Sequence, residues 1–360
     1  QSWKSVQVPH NWDQYEGYRR LTHGNKHGYA WYRKSFTVNS TNKNKRYFLY
    51  FEGVGSYASI WLNGKLLGTH AGGRTTFQLD ASNYILLNNQ ENILAVRADH
   101  PAEIQDLPWV CGGCSTERGF SEGSQPMGIF RPVHLLITEP IRIAPFGIHI
   151  WNDTTVSAQK AQLYGSVEIQ NLSNKQASIK VVHELRNQEN QLIFSNNNTI
   201  YLSEKTTQNI PIAFPSISNP KLWSPEQPYL YQIITKVYEK GKLVDVQKTA
   251  YGIRSIKWLK KSNGQKQLLV NGKPFFINGI AEYEHLLGNS HAFSAEQIKT
   301  RVGMVKAAGF NAFRDAHQPH NLRYQEYWDK DGILWWPQMA AHIWYDTPAF
   351  RENFKTLLKD

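Results

Sequence analysis

The side chains best suited to chemistry gather late in this 360-residue chain, in Ala281-Glu282-Tyr283-Glu284-His285 and in Arg314-Asp315-Ala316-His317. Each group follows a short apolar run that reads as a strand. Carboxylates there can serve as acid, base or nucleophile, or can hold cations in salt bridges. The carboxyl end of a parallel strand favours a place near a pocket. A second candidate is Cys111-Gly112-Gly113-Cys114, which contains both cysteines of the chain. That spacing suits a redox couple or half a zinc site. Zinc would need two more ligands, and there is no second cysteine pair. A redox couple should open a helix after a strand, whereas Pro108-Trp109-Val110 and Ser115-Thr116-Glu117 read as loop. The segment is therefore expected to be a loop holding two small residues. A local disulfide stays open, and no metal or cofactor is expected.

The elements that would position these groups change character along the chain. Residues 1–140 read as short strands separated by Gly, Asn and Asp turns. Arg46–Phe51 is one strand, and Ser59–Leu62 meets Asn63-Gly64, a strong hairpin signal. Lys65–Gly68 pairs back, and Asn92–Arg97 is a further strand. A β-sandwich or jelly roll is the natural architecture. The Gly-, Ser- and Pro-rich stretch from Asp99 to Met127 is long for a loop; such loops are usually functional or disordered, and Trp109 and Phe120 argue against plain disorder. Residues 141–254 alternate again, with strands at Gln162–Ile169, Ser178–Val182 and Leu230–Tyr238. About seven strands over that span fit an immunoglobulin-like sandwich.

From residue 255 to 360 strands and helices alternate. Pro274–Gly279 is expected to be a buried strand, with Ser294 and Gln297 as a capping box for a helix ending at Gly309. Asn311–Arg314 is a second strand, Leu322–Asp331 a helix, Ile333–Trp336 a third strand. A last helix starts at Thr347-Pro348. Alternation with short connections means parallel β/α units. A closed eight-fold barrel takes about 250 residues, so three strands form an incomplete (β/α)8 barrel. Its last strand would leave an open edge, which invites self-association.

Composition narrows the function classes. Forty Lys and Arg against 29 Asp and Glu give a net charge of +11. The basic residues are dispersed, with Lys43–Arg46 and Lys257–Lys261 as the densest runs, so nucleic-acid binding is not expected. No apolar run approaches the roughly 18–20 residues of a membrane span. The opening Gln1-Ser2-Trp3 has no basic-then-apolar leader, as in a mature chain, and leaves export open. The 16 Phe, 18 Tyr and 12 Trp supply core, and flat rings also suit sugar faces.

The ordered motifs resemble glycoside hydrolase family 2, the family of β-galactosidases, β-glucuronidases and β-mannosidases. The motifs are Val8-Pro9-His10-Asn11-Trp12, Trp31–Phe36, Phe51-Glu52-Gly53-Val54, Ile60–Lys65, and Gly68-Thr69-His70 with Gly72-Gly73 and Phe77. They continue with Gly128–Val133, Leu222-Trp223-Ser224-Pro225, Pro228–Tyr231, Tyr251–Arg254, Asn271–Phe276 and Gly309–Arg314 with His317 and Pro319. The resemblance implies a jelly-roll sugar-binding domain over 1–140, an immunoglobulin-like sandwich over 141–254 and the start of a TIM-barrel catalytic domain over 255–360.

It also implies a retaining exo-β-glycosidase, β-galactosidase-like, acting on terminal β-linked sugars. Two glutamates about 5–5.5 Å apart do that chemistry. In the family the acid/base follows an Asn at the fourth barrel strand, and the nucleophile comes later. No Asn-Glu dipeptide occurs in this chain. The expectation is an N-terminal portion that is inactive alone. Arg314 corresponds to the family arginine that holds the nucleophile carboxylate, and His317 to a sugar-contacting histidine. Tyr283 stands where a sugar-contacting histidine is common, and Gln318 replaces the usual Tyr before Pro319. The family's galactosidases carry an Asp before the closing jelly-roll strand, and none lies between Trp109 and Arg131, which weakens galactose specificity. Glu284 and Asp315 would support the site, and Trp109, Glu117, Arg118 and Glu122 would line it or pack between domains. The partner is then a carbohydrate, and export to the periplasm or medium follows family habit. The competing reading is a noncatalytic carbohydrate-binding or adhesive module, against which stand Arg314 and His317.

Overall fold

The computed structural model describes residues 2–12, 27–102, 104–109, 126–284, 291–339 and 345–360. They fall into two compact units. The first comprises Gln1–Ile137, Gly279–Gln325 and Trp335–Asp360, and the second Thr138–Asn278 with Glu326–Leu334. No helix among the described residues is long and apolar enough to cross a membrane.

Seven strands open the first unit: β1 (Gly28–Thr37), β2 (Arg46–Phe51), β3 (Tyr57–Leu62), β4 (Lys65–Ala71), β5 (Phe77–Asp80), β6 (Glu91–His100) and β7 (Val133–Thr138). They form two sheets, ordered β1-β6-β3-β4 and β5-β2-β7. In β6 every second residue is buried, the period of a strand with one face on a core. Phe51, Val54, Ile60, Leu62, Val96 and Ala98 fill the space between the sheets. Asn63 and Gly64 both take positive φ, 50° and 78°, which the tight turn between β3 and β4 requires.

The second unit carries β8 (Ile141–Asn152), β9 (Lys160–Asn171), β10 (Ala177–Arg186), β11 (Leu192–Leu202), β12 (Thr206–Ser218), β13 (Tyr231–Glu239) and β14 (Lys242–Tyr251). Their orders, β11-β10-β13-β14 and β12-β9-β8, make a seven-stranded sandwich closed over Leu163, Val167, Val181, Leu185, Ile233 and Val237. Trp223 is buried at its end, and its indole donates to the Asp329 carbonyl at 2.8 Å. The Arg254 guanidinium lies 5.0 Å from its ring centroid.

Three short strands follow: β15 (Ile256–Lys260), β16 (Lys266–Val270) and β17 (Lys273–Phe275). This meander corrects the expected buried strand over Pro274–Gly279. Asn271-Gly272 turns the chain back, so Lys273–Phe275 pairs antiparallel with Leu268–Val270, and Phe276 is 84% exposed. The parallel sheet begins four residues later, with β18 (Gly279–Glu282), β19 (Ala312–Asp315) and β20 (Leu334–Trp336) in that order. β18 and β19 are parallel, pairing Ala281 with Arg314 and Glu282 with Asp315.

Among the described residues the helices are α1 (Ala295–Ala307), α2 (Arg323–Asp331) and α3 (Pro348–Leu357). Ser294 and Gln297 form both bonds of the capping box on α1, and Thr347 caps α3 with Pro348 in its first turn.

Candidate active site

The register of β18 against β19 sets every candidate group. Residues alternate faces along a strand, so Arg314 and Asp315 point to opposite sides of the short sheet. Arg314 is half-buried. Its Nε donates to Gln338 Oε1 at 3.0 Å and its Nη2 contacts His317 Nδ1 at 3.0 Å. The same nitrogen lies 3.3 Å from Gln338 Oε1, so Arg314, His317 and Gln338 are in mutual contact. Tyr283 packs edge-on against His317, centroids 5.1 Å apart at 86°. Arg314, His317, Tyr283 and Gln338 thus form one cluster at the carboxyl ends of β18 and β19. Gln338 was not singled out by sequence reasoning.

The carboxylates take another course. Glu284 is 1% exposed and Arg131 2%, and Arg131 Nη2 donates to Glu284 Oε2 at 2.9 Å. The other oxygen, Oε1, accepts the Asn321 backbone N–H at 2.8 Å. Arg131 also donates to the carbonyls of Arg74 at 2.8 Å and Pro319 at 3.0 Å. Both oxygens of Glu284 therefore have donors, and the side chain ties the sandwich segment of the first unit to its barrel segment. A buried charge persists only when so paired.

Glu282 is ion-paired with Arg301. Its pKa is raised by burial, with Arg301 opposing and Glu284 reinforcing. Asp315 is 1% exposed and lies 3.3 Å from His320 Nδ1. Burial, above all, pushes Asp315 up to about 7 and His320 down to about 4. Between those values both groups are mostly neutral, so the contact is not an ion pair there.

Trp109 is fully buried, and its indole N–H donates to the Met339 carbonyl. It offers no ring face to solvent, so the expectation that it lines a sugar subsite gives way to a packing role. Glu117, Arg118, Glu122, Cys111 and Cys114 lie outside the described residues.

Sequence reasoning also left Glu52 and Arg131 without roles. Glu52 accepts from His134 Nε2 at 2.7 Å and from Arg323 Nη1 at 2.9 Å. The signal was there: Phe51-Glu52-Gly53 and Phe130-Arg131-Pro132 each set one charge inside an apolar run, and such a charge needs a partner.

Family models match nearly the whole chain in order. Residues 3–140 match the glycosyl hydrolases family 2 sugar binding domain, 142–254 glycosyl hydrolases family 2, and 262–339 the family 2 TIM barrel domain. The chain belongs to glycoside hydrolase family 2. This family 2 chain is 28% identical to a β-galactosidase of Pseudoalteromonas haloplanktis, over 92% of its own length and 31% of that protein's. It is 26% identical to a β-glucuronidase of Bacteroides fragilis, over 99% of its length and 50% of the relative's. Among solved structures, the β-glucuronidase of Bacteroides uniformis superposes with a TM-score of 0.86 at 25% identity, covering 98% of this chain and 40% of that one. The family 2 chain therefore spans half or less of the length of these proteins. Its β18–β20 sheet is part of a TIM barrel, after a sugar-binding and an immunoglobulin-like domain.

Proposed function

We propose that these 360 residues supply the sugar-holding part of a retaining exo-β-glycosidase site for terminal β-glucuronides or β-galactosides, and do not by themselves cleave them. The observation that carries this reading is the division of labour around β18 and β19. Arg314, His317, Tyr283 and Gln338 form a fixed polar cluster at the strand ends. Glu282 and Glu284 are each committed to an arginine, and Asp315 is buried beside His320. A retaining mechanism needs two carboxylates about 5–5.5 Å apart, one ionised and one protonated, and none of these three is placed to attack. In this reading Arg314 orients an incoming carboxylate by a charge-assisted hydrogen bond, and His317 contacts a sugar hydroxyl.

Saturation-transfer NMR of the 360-residue chain with methyl β-D-glucuronide and methyl β-D-galactoside tests this. Transfer to one of the sugars is expected, lost in His317→Ala, with no hydrolysis of the matching aryl glycosides. No transfer to either sugar, or transfer unchanged in His317→Ala, would overturn it.

A further inference from the structure

We infer that a groove along the outer edge of β1, remote in sequence from the β18–β19 cluster, binds uronic-acid-bearing glycan chains. The groove has a volume of about 1380 Å³ and lies between β1 and the segment 2–12. Tyr29 and Trp31, two residues apart on one face of β1, are 61% and 44% exposed, and Trp3 on the facing wall is 61% exposed. Large aromatic rings left in solvent are costly unless something covers them. These rings are held rather than loose. Trp31 packs on Trp61 with centroids 5.1 Å apart, and the Arg97 guanidinium sits 4.6 Å from the Tyr29 centroid.

The facing wall is also anchored. His10 and Trp12 donate backbone N–H bonds to Ile129 and Met127 at 2.7 and 2.8 Å, and His10 Nδ1 meets the Tyr32 hydroxyl at 2.9 Å. The groove is thus held along β1 and at the 10–12 end of the facing segment, which lowers the ordering cost of binding there. β1 is an edge strand of its sheet, so among the described residues no strand pairs on that side.

Charge selects the ligand class. Lys4, Arg33 and Lys34 line the groove against one carboxylate, Glu91. Stacking rings beside cations suit a polymer with apolar ring faces and negative groups. Both anionic glycans and single-stranded nucleic acid have that character. The groove falls wholly within the residues that match a sugar binding domain, which favours the glycan. Planar carboxylates at regular intervals match the forked guanidinium of Arg33.

The test is calorimetric titration of the 360-residue chain with polygalacturonate oligomers, dextran sulfate, neutral dextran and a single-stranded oligonucleotide. The polygalacturonate oligomers are expected to bind at least about tenfold tighter than neutral dextran, less tightly as salt rises. Trp31→Ala and the pair Arg33→Gln/Lys34→Gln should each weaken binding about tenfold or more. Trp3→Ala, at an exposed position, repeats the test without risk to folding. Lys257→Gln/Lys260→Gln/Lys261→Gln, on and just after β15, should leave affinity within about twofold and so separates a site from diffuse positive charge. Equal loss in that control, no loss in the tryptophan variants, or tighter binding of the oligonucleotide or dextran sulfate would overturn the inference. Because the readout is binding at β1, its failure is separable from failure of the β18–β19 reading.

Discussion

The Arg131–Glu284 pair makes a quantitative demand on the fold. Its two side chains are 2% and 1% exposed, so solvent screens neither. Removing one partner of such a pair costs about 3–5 kcal/mol, because the remaining charge is left buried without compensation. Arg131→Met strands the Glu284 carboxylate and also frees two carbonyl acceptors, those of Arg74 and Pro319. Glu284→Gln keeps an oxygen for the Asn321 N–H but strands the guanidinium. The two losses share one cause, so they are not additive. The double variant Arg131→Met/Glu284→Gln carries no stranded charge and should be more stable than Arg131→Met alone. Urea unfolding followed by circular dichroism measures all four corners of the cycle. The reasoning fails if either single change costs less than about 1 kcal/mol, or if adding Glu284→Gln destabilises Arg131→Met further.

Two more expectations follow from the same geometry. Asp315, with its pKa raised to about 7, binds more protons folded than unfolded between pH 4 and 7. Its contribution is full below pH 4 and is lost as pH rises through 7. His320, lowered to about 4, does the reverse, losing stability as pH falls from 6.5 through 4. Melting curves from pH 4 to 7 should therefore show Asp315→Asn gaining on the wild type as pH rises, and a constant difference would refute the assignment. In the second unit, a Cβ at Gly252 would lie 2.7 Å from Trp223 Cγ. Trp223 is pinned by its bond to Asp329 and by Arg254. Gly252→Ala should cost about 1–3 kcal/mol in overpacking, read by chemical denaturation, and a neutral result would show that the ring can move.

Local chemistry was legible in the sequence wherever near neighbours decide it. Asn63-Gly64, the Ser294–Gln297 box and Thr347-Pro348 announce a hairpin and two helix starts, and each stands where it was read. The expected buried strand over Pro274–Gly279 misled because an apolar run carries no record of its partner: Asn271-Gly272 folds Lys273–Phe275 into a meander, and the parallel sheet begins only at Gly279. The same limit hid the fate of Glu284, whose cation lies 153 residues earlier. For Trp109 a sugar subsite and a packing role both stood open, because ring type says nothing about burial. Gln338 had no signal, since only the fold brings it to Arg314, 24 positions away.

The central proposal is that these 360 residues hold sugar without supplying the nucleophile. A cyclophellitol-type aziridine traps such a nucleophile covalently. Incubating the folded 360-residue chain with that class of reagent and weighing it by intact-protein mass spectrometry gives a direct answer. The account predicts an unchanged mass. A stoichiometric adduct mapped to Glu282, Glu284 or Asp315 would contradict it.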